Sequence, residues 1–155
     1  MPSPALLPKI MHAVQGKDYG AVDQMISVED DVEVPCLSDV LEKNRNKYML
    51  LKIHSVALAP GNCRVLSGLM RKLQGPPAFP YVPGGDCCGV VVELPEEAQE
   101  IPFQVAQEIP FQVGDRVAAR FALEGPRGAL GEYALISSLV ADKVPDNLLQ
   151  TRQQL

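Results

Sequence analysis

In the segment Leu51-Lys52-Ile53-His54-Ser55-Val56, apolar and polar residues alternate, so that Leu51, Ile53 and Ser55 share one face and Lys52, His54 and Val56 the other. That period of two belongs to a strand buried chiefly on one side. The strand is expected over 49–58, and β-branched or apolar runs predict six more over 10–14, 25–34, 88–94, 115–121, 133–136 and 140–144. Fourteen prolines and twelve glycines are scattered between them, which keeps elements short and disfavours long helices. The pattern predicts a mainly β fold, a barrel or sandwich, with a few short helices.

One such helix is expected directly after the 49–58 strand, where Pro60 suits a first helical turn and Gly68 suits an end. From Leu73 to Gly85, prolines fix backbone angles and remove amide donors, so the stretch reads as an ordered loop if Phe79 and Tyr81 pack, and as a linker if they do not. A perfect tandem repeat, Ala-Gln-Glu-Ile-Pro-Phe-Gln-Val, fills 98–105 and 106–113. Two copies of so short a unit cannot stack as a solenoid, so the repeat reads as a loop insertion, which closure entropy tolerates well.

The chain has 155 residues, 46% of them hydrophobic, which suits one compact domain with a real core. A net charge of -5 leaves no broad basic face for phosphates, so nucleic acid is not an expected partner. Apolar runs break well short of the roughly 20 residues that span a bilayer. Met1 to Lys9 lacks the apolar stretch of a secretory signal, and a cytoplasmic, non-membrane protein is expected. The four cysteines, Cys36, Cys63, Cys87 and Cys88, read as reduced thiols. A redox switch at Cys87-Cys88 is the alternative, but neighbours on a strand point to opposite faces.

Several motifs follow one another in fixed order. They are Met11-His12-Ala13-Val14, Leu51-Lys52-Ile53-His54-Ser55-Val56-Ala57-Leu58-Ala59-Pro60 running on to Ser67-Gly68, Phe79-Pro80-Tyr81-Val82-Pro83-Gly84-Gly85-Asp86, Cys88-Gly89-Val90-Val91-Val92-Glu93, Phe111-Gln112-Val113-Gly114-Asp115-Arg116-Val117 and Gly131-Glu132-Tyr133-Ala134. Together they resemble the N-terminal GroES-like domain of zinc-independent medium-chain dehydrogenase/reductases, in the quinone oxidoreductase and enoyl reductase branch. The resemblance covers 10–148 and implies a GroES-like, partly open β-barrel. Between Glu93 and Gly114 lie 20 residues, and removing one copy of the repeat brings the spacing close to the family's usual one.

The resemblance also bears on chemistry. Where the zinc-dependent branch places a cysteine and a histidine ligand, this chain has Ala59 and Gly85, neither of which carries a donor, so no zinc is expected. His12 and His54 read as solvent-facing or hydrogen-bonded strand residues. Zinc-independent members pass hydride from NADPH to a quinone, enone or enoyl substrate, and the protein steadies negative charge on the acceptor's oxygen. Where many members carry an Asn-Pro-x-Asp segment with a tyrosine two residues beyond, this chain has Ala59, Pro60, Asn62 and Arg64. Asn62 and Arg64 are the catalytic candidates, against a plainer role as a helix cap and a solvated arginine. Ala59, Pro60 and Tyr81 are pocket candidates, with packing the alternative for Tyr81.

Gly84-Gly85-Asp86 and Gly114-Asp115-Arg116 read as turns, Asp115 closing a local hydrogen bond, and Gly125, Gly128 and Gly131 as a hairpin. The chain has no Gly-x-Gly-x-x-Gly, so the cofactor-binding residues stay unknown and NADPH is not expected to bind this chain alone. The resemblance implies a Rossmann domain after the barrel, leaving 149–155 as a link toward it and 1–9 as a tail. The expected function is the substrate-side domain of an NADPH-dependent oxidoreductase, inactive as an isolated chain, with a small carbonyl, enone or quinone as partner and a separate Rossmann half or another chain as a second. A non-catalytic protein-interaction module with the same fold is the alternative.

Overall fold

A computed structural model describes residues 7–72, 78–95, 110–120, 128–145 and 148. The repeat over 98–109, Gly125 and the expected link over 149–155 lie outside the described residues. The elements in chain order are β1 (Ile10–Gly16), α1 (Val22–Met25), β2 (Ile26–Glu33), α2 (Glu42–Arg45), β3 (Tyr48–Val56), α3 (Pro60–Leu66), β4 (Cys87–Glu93), β5 (Arg116–Ala119), β6 (Tyr133–Ser137) and β7 (Ala141–Lys143). Single 3₁₀ turns stand at Leu37–Asp39 and Ser138–Val140. Each expected strand is present. The four-residue helices α1 and α2 were not expected, because one turn is too short to show a helical period.

Five strands form an antiparallel sheet in the order β6-β3-β4-β5-β7, and β1 and β2 form a separate two-stranded ribbon. Isolated bridges from Ala13 to Gly131 and from Gly16 to Tyr81 attach the ribbon to the rest. The sheet does not close, as a partly open barrel requires.

The first half of β3 explains where the core sits. Its alternation buries both faces: Met49 and Leu51 pack into one cluster with Val91, Val117 and Ile136, while Tyr48 and Leu50 pack into a second with Met11, Leu37 and Leu135. Met49, Leu50 and Leu51 are fully buried, each side chain worth about 1.5–3 kcal/mol by transfer. A smaller third cluster joins Val65, Leu66 and Tyr81, with Val22, Met70 and Phe79 against it.

The second half of β3 departs from the expected alternation. Ile53 pairs with Gly89, yet Ser55 pairs with Cys88, so His54 is an extra residue in a β-bulge. A one-residue slip moves a side chain to the other face. Val56 therefore packs against the same cluster as Ile53, and Ser55 is left exposed, the reverse of the expectation for those two positions. Opposite this bulge β4 comes very close, and a Cβ built on buried Gly89 would collide with the Lys52 carbonyl oxygen.

Candidate functional site

The candidates come from the turn between β3 and α3. Pro60 opens the helix, where a missing amide costs nothing, but the N-cap residue Ala59 has no side-chain oxygen. Asn62 supplies it from within the first turn: its Oδ1 accepts the Ala59 N–H at 2.9 Å, and its own N–H donates to the Ala59 carbonyl at 2.9 Å. The cap role weighed for Asn62 is thus realised. It also orients the amide: with Oδ1 engaged, the two Nδ2 donors have no partner among the described residues.

Arg64 lies in the last turn of α3, exposed and without an ion pair among the described residues, where a cation suits the helix dipole. Its carbonyl accepts from Ser67 Oγ at 3.1 Å. Ser67 caps the helix through its N–H to the Cys63 carbonyl, and Gly68 follows at φ 79°, the left-handed conformation glycine adopts without strain. Ala59 and Pro60 are exposed beside Asn62.

Tyr81 takes the packing role. Its ring is buried with Val65 and Leu66, while its backbone bridges Gly16 with N···O distances of 2.7 and 2.9 Å. Phe79, two residues earlier, meets the Tyr19 ring edge-on at 5.1 Å. The described part of the proline-rich segment is therefore an ordered loop. The structure thus gathers Pro60, Asn62 and Arg64 on one short helix with Ala59 at its N-cap, and sets Tyr81 in the cluster that supports it.

Two shallow clefts of about 320 Å³ each meet at the bulged end of β3, sharing Ser55 and Val56. One runs toward β4 past Ala57, Asp86, Cys87 and Cys88, where the Ala57 N–H donates to the Asp86 carbonyl at 2.8 Å. The other runs toward the ribbon past His12, His54, Leu130 and Glu132. Sequence reasoning had not assigned Ser55 or Glu132 to a cleft, since only the bulge and the ribbon crossing bring them there.

Electrostatics separates these groups. Burial pushes the Cys87 thiol up to about 11, and the neighbouring Cys88 and Asp86 add to the shift, so Cys87 is a neutral thiol at physiological pH. Cys88 is half-buried, in keeping with neighbours on opposite strand faces, and all four cysteines are free. His12 Nδ1 meets Asp30 Oδ1 at 2.9 Å, and that hydrogen bond, then the charges of Asp30 and Glu132, raise the His12 pKa above its ordinary value. His54 is exposed on its strand. Asp115 accepts the Gln112 N–H at 2.7 Å and pairs with Lys143 at 2.7 Å, the local turn expected of it. No three His, Cys, Asp or Glu side chains converge among the described residues, and neither Ala59 nor Gly85 carries a metal donor.

An open antiparallel sheet with a turn and short helix after its longest strand, β3, carrying a proline at the helix start, is the architecture of a GroES-like domain. The chain belongs to the alcohol dehydrogenase GroES-like domain family, which it matches over residues 45–146. It is 30% identical over 149 residues to the NADPH-dependent alkenal/one oxidoreductase of Arabidopsis thaliana, covering 93% of this chain and 33% of that protein. To human quinone oxidoreductase it is 27% identical over 140 residues, covering 90% and 35%. The chain spans about a third of the length of these relatives. The quinone oxidoreductase structure from Pseudomonas syringae superposes with a TM-score of 0.63 at 21% identity, covering 88% of this chain and 34% of that one. A mycobacterial protein solved with NADPH gives 0.64 at 23%, with the same coverage, so the fold is shared.

Proposed function

We propose that this chain is the acceptor-side domain of an NADPH-dependent, zinc-independent cytoplasmic reductase of quinones, enones or enoyl compounds, inactive when isolated. The observation that carries the reading is the fixed amide of Asn62, whose oxygen is held by the Ala59 N–H and whose Nδ2 donors are left for a carbonyl oxygen. Hydride transfer piles negative charge on that oxygen, and a pre-oriented donor stabilises it without reorganising. Arg64, exposed two residues along the same helix, is the second candidate, a fixed positive charge suited to an anionic acceptor. The family membership and the relatives' NADPH-dependent and quinone-directed names support the same reading. The chain has no Gly-x-Gly-x-x-Gly, so its own residues do not fit a dinucleotide site and none is assigned to NADPH.

The test joins this chain to the nucleotide-binding remainder of the Arabidopsis relative and follows NADPH consumption with an alkenal or a quinone. The fusion should turn over and the isolated chain should not. Asn62→Asp keeps the cap acceptor and removes the donors, so kcat should fall about 10²-fold, the scale of one oxyanion donor, at unchanged Tm. Unchanged kcat in Asn62→Asp removes the role given to Asn62.

A further inference from the structure

The chain's net charge is concentrated in one place. Residues 10–33 hold six carboxylates, Asp18, Asp23, Glu29, Asp30, Asp31 and Glu33, against Lys17 alone, a formal -5 that equals the charge of the whole chain. The rest of the protein therefore balances to zero. Within the ribbon, Lys17 Nζ pairs with Glu29 at 3.0 Å and His12 with Asp30, while Asp31 and Glu33 are exposed and have no ion pair among the described residues.

This acidic ribbon also ends in an open strand edge. The Val14 N–H donates to the Leu130 carbonyl and the Gly16 N–H to the Tyr81 carbonyl, so both turn away from β2. In an antiparallel pair that alternation is shared, so the N–H and C=O of Val28, opposite Val14, turn outward from the ribbon. Beyond the bulge that sets Asp30 and Asp31 against His12, the Val34 N–H donates to Lys9, which turns Glu33 outward in the same way. The Ile26 N–H closes α1 on the Val22 carbonyl. No partner for the outward groups of Val28 or Glu33 occurs among the described residues. Val28 is 72% exposed and Ile10 54%, giving the ribbon apolar contact surface between its charges.

We infer that the outer edge of β2 docks a basic, extended segment of another protein, which adds to the β1–β2 ribbon as a third strand. Main-chain hydrogen bonds to Val28 and Glu33 supply the register, and Asp31 and Glu33 select the partner. Charge decides which strand this edge accepts. A second copy would bring another net -5 against the first and is repelled, the usual protection of an edge, whereas an alternating Lys or Arg strand meets complementary charge.

The probe is a fluorescein-labelled peptide alternating Lys and Val, titrated into the full chain by fluorescence anisotropy. Saturable binding is expected, weakened at least about tenfold by Asp31→Lys with Glu33→Lys and by raising salt from roughly 0.05 to 0.3 M. Methylating alternate peptide amides should abolish binding, and amide exchange should slow at Val28 and Glu33 when the unmodified peptide binds. Equal binding of the methylated peptide, unchanged affinity in the charge-reversed variant, protection confined to other elements, or no saturable binding each overturns the inference. A Glu/Val peptide bound as tightly as the Lys/Val one does so too.

Discussion

Gly89→Ala is a small chemical change aimed at a close backbone approach between β4 and β3. Gly89 sits in the middle of β4, buried, and pairs with Ile53 on one side and Val117 on the other. A Cβ at this position meets the Lys52 carbonyl oxygen well inside van der Waals distance, then the Lys52 carbonyl carbon at 3.1 Å and the Ile53 Cα at 3.3 Å. All three atoms are backbone, so no rotamer change relieves the contact and β3 itself must shift. The shift pulls on Met49 and Leu51, fully buried on the same strand. Overpacking costs roughly 1–3 kcal/mol, and a backbone clash belongs at the upper end. For a chain of 155 residues at about 2–4 °C per kcal/mol, Tm should drop by roughly 6–12 °C. Differential scanning calorimetry reads this directly. Gly61→Ala is the control, because a Cβ there meets nothing within 4 Å and alanine suits a helix interior, so Tm should hold or rise. A Gly89→Ala protein melting with the parent would refute the strand packing described above.

Thiol labelling with a chromogenic disulfide near pH 8 should be graded: Cys36 and Cys63, both exposed, react fast, half-buried Cys88 more slowly, and Cys87 only after denaturation, with peptide mapping as the readout. Two ion pairs should respond to pH with opposite sign, checked by denaturant melts of Asp115→Asn and His12→Gln against the parent. For Asp115, burial pushes the carboxyl up, but the Lys143 hydrogen bond, the Gln112 N–H and the Lys143 charge together hold it below its ordinary 3.8. Its contribution is present above pH 3.8 and lost as pH falls through the lower folded value, so the gap to Asp115→Asn closes in acid. His12 is raised above 6.5, so its contribution is full below that value and fades as pH rises through the folded one, and the gap to His12→Gln closes in base. A gap constant across either window counts against the corresponding pair.

The strands were legible because their signal is local. Leu51, Ile53, the β-branched run of 88–94 and the apolar run of 133–136 carry their signal within a few residues, and Pro60 and Gly68 punctuate α3 just as locally. Asn62 was readable as a cap for the same reason, lying three residues from the N–H it serves. What escaped depends on distant partners. The slip at His54 exists only against Gly89 and Cys88, so the facing of Ser55 and Val56 could not be read from β3 alone. The burial of Tyr81 likewise needs Val65 and Leu66, and the cleft holding both histidines needs the ribbon to cross β3. The resemblance pointed to the candidate residues, and the direction of the Asn62 amide came from geometry.

The third cluster, beneath α3, stands apart from the two that hold the sheet. Val65, Leu66 and Tyr81 are tied back to the ribbon through the Gly16–Tyr81 bridge and the Gly20 N–H on the Leu66 carbonyl. The helix bearing Asn62 and Arg64 therefore rests on contacts separate from those of Met49, Leu51 and Val117. A segment held by a small cluster of its own can open at a free energy below that of a whole fold. On the proposed reading, the packing that holds the sheet and the packing that holds the acceptor side are thus set by different side chains.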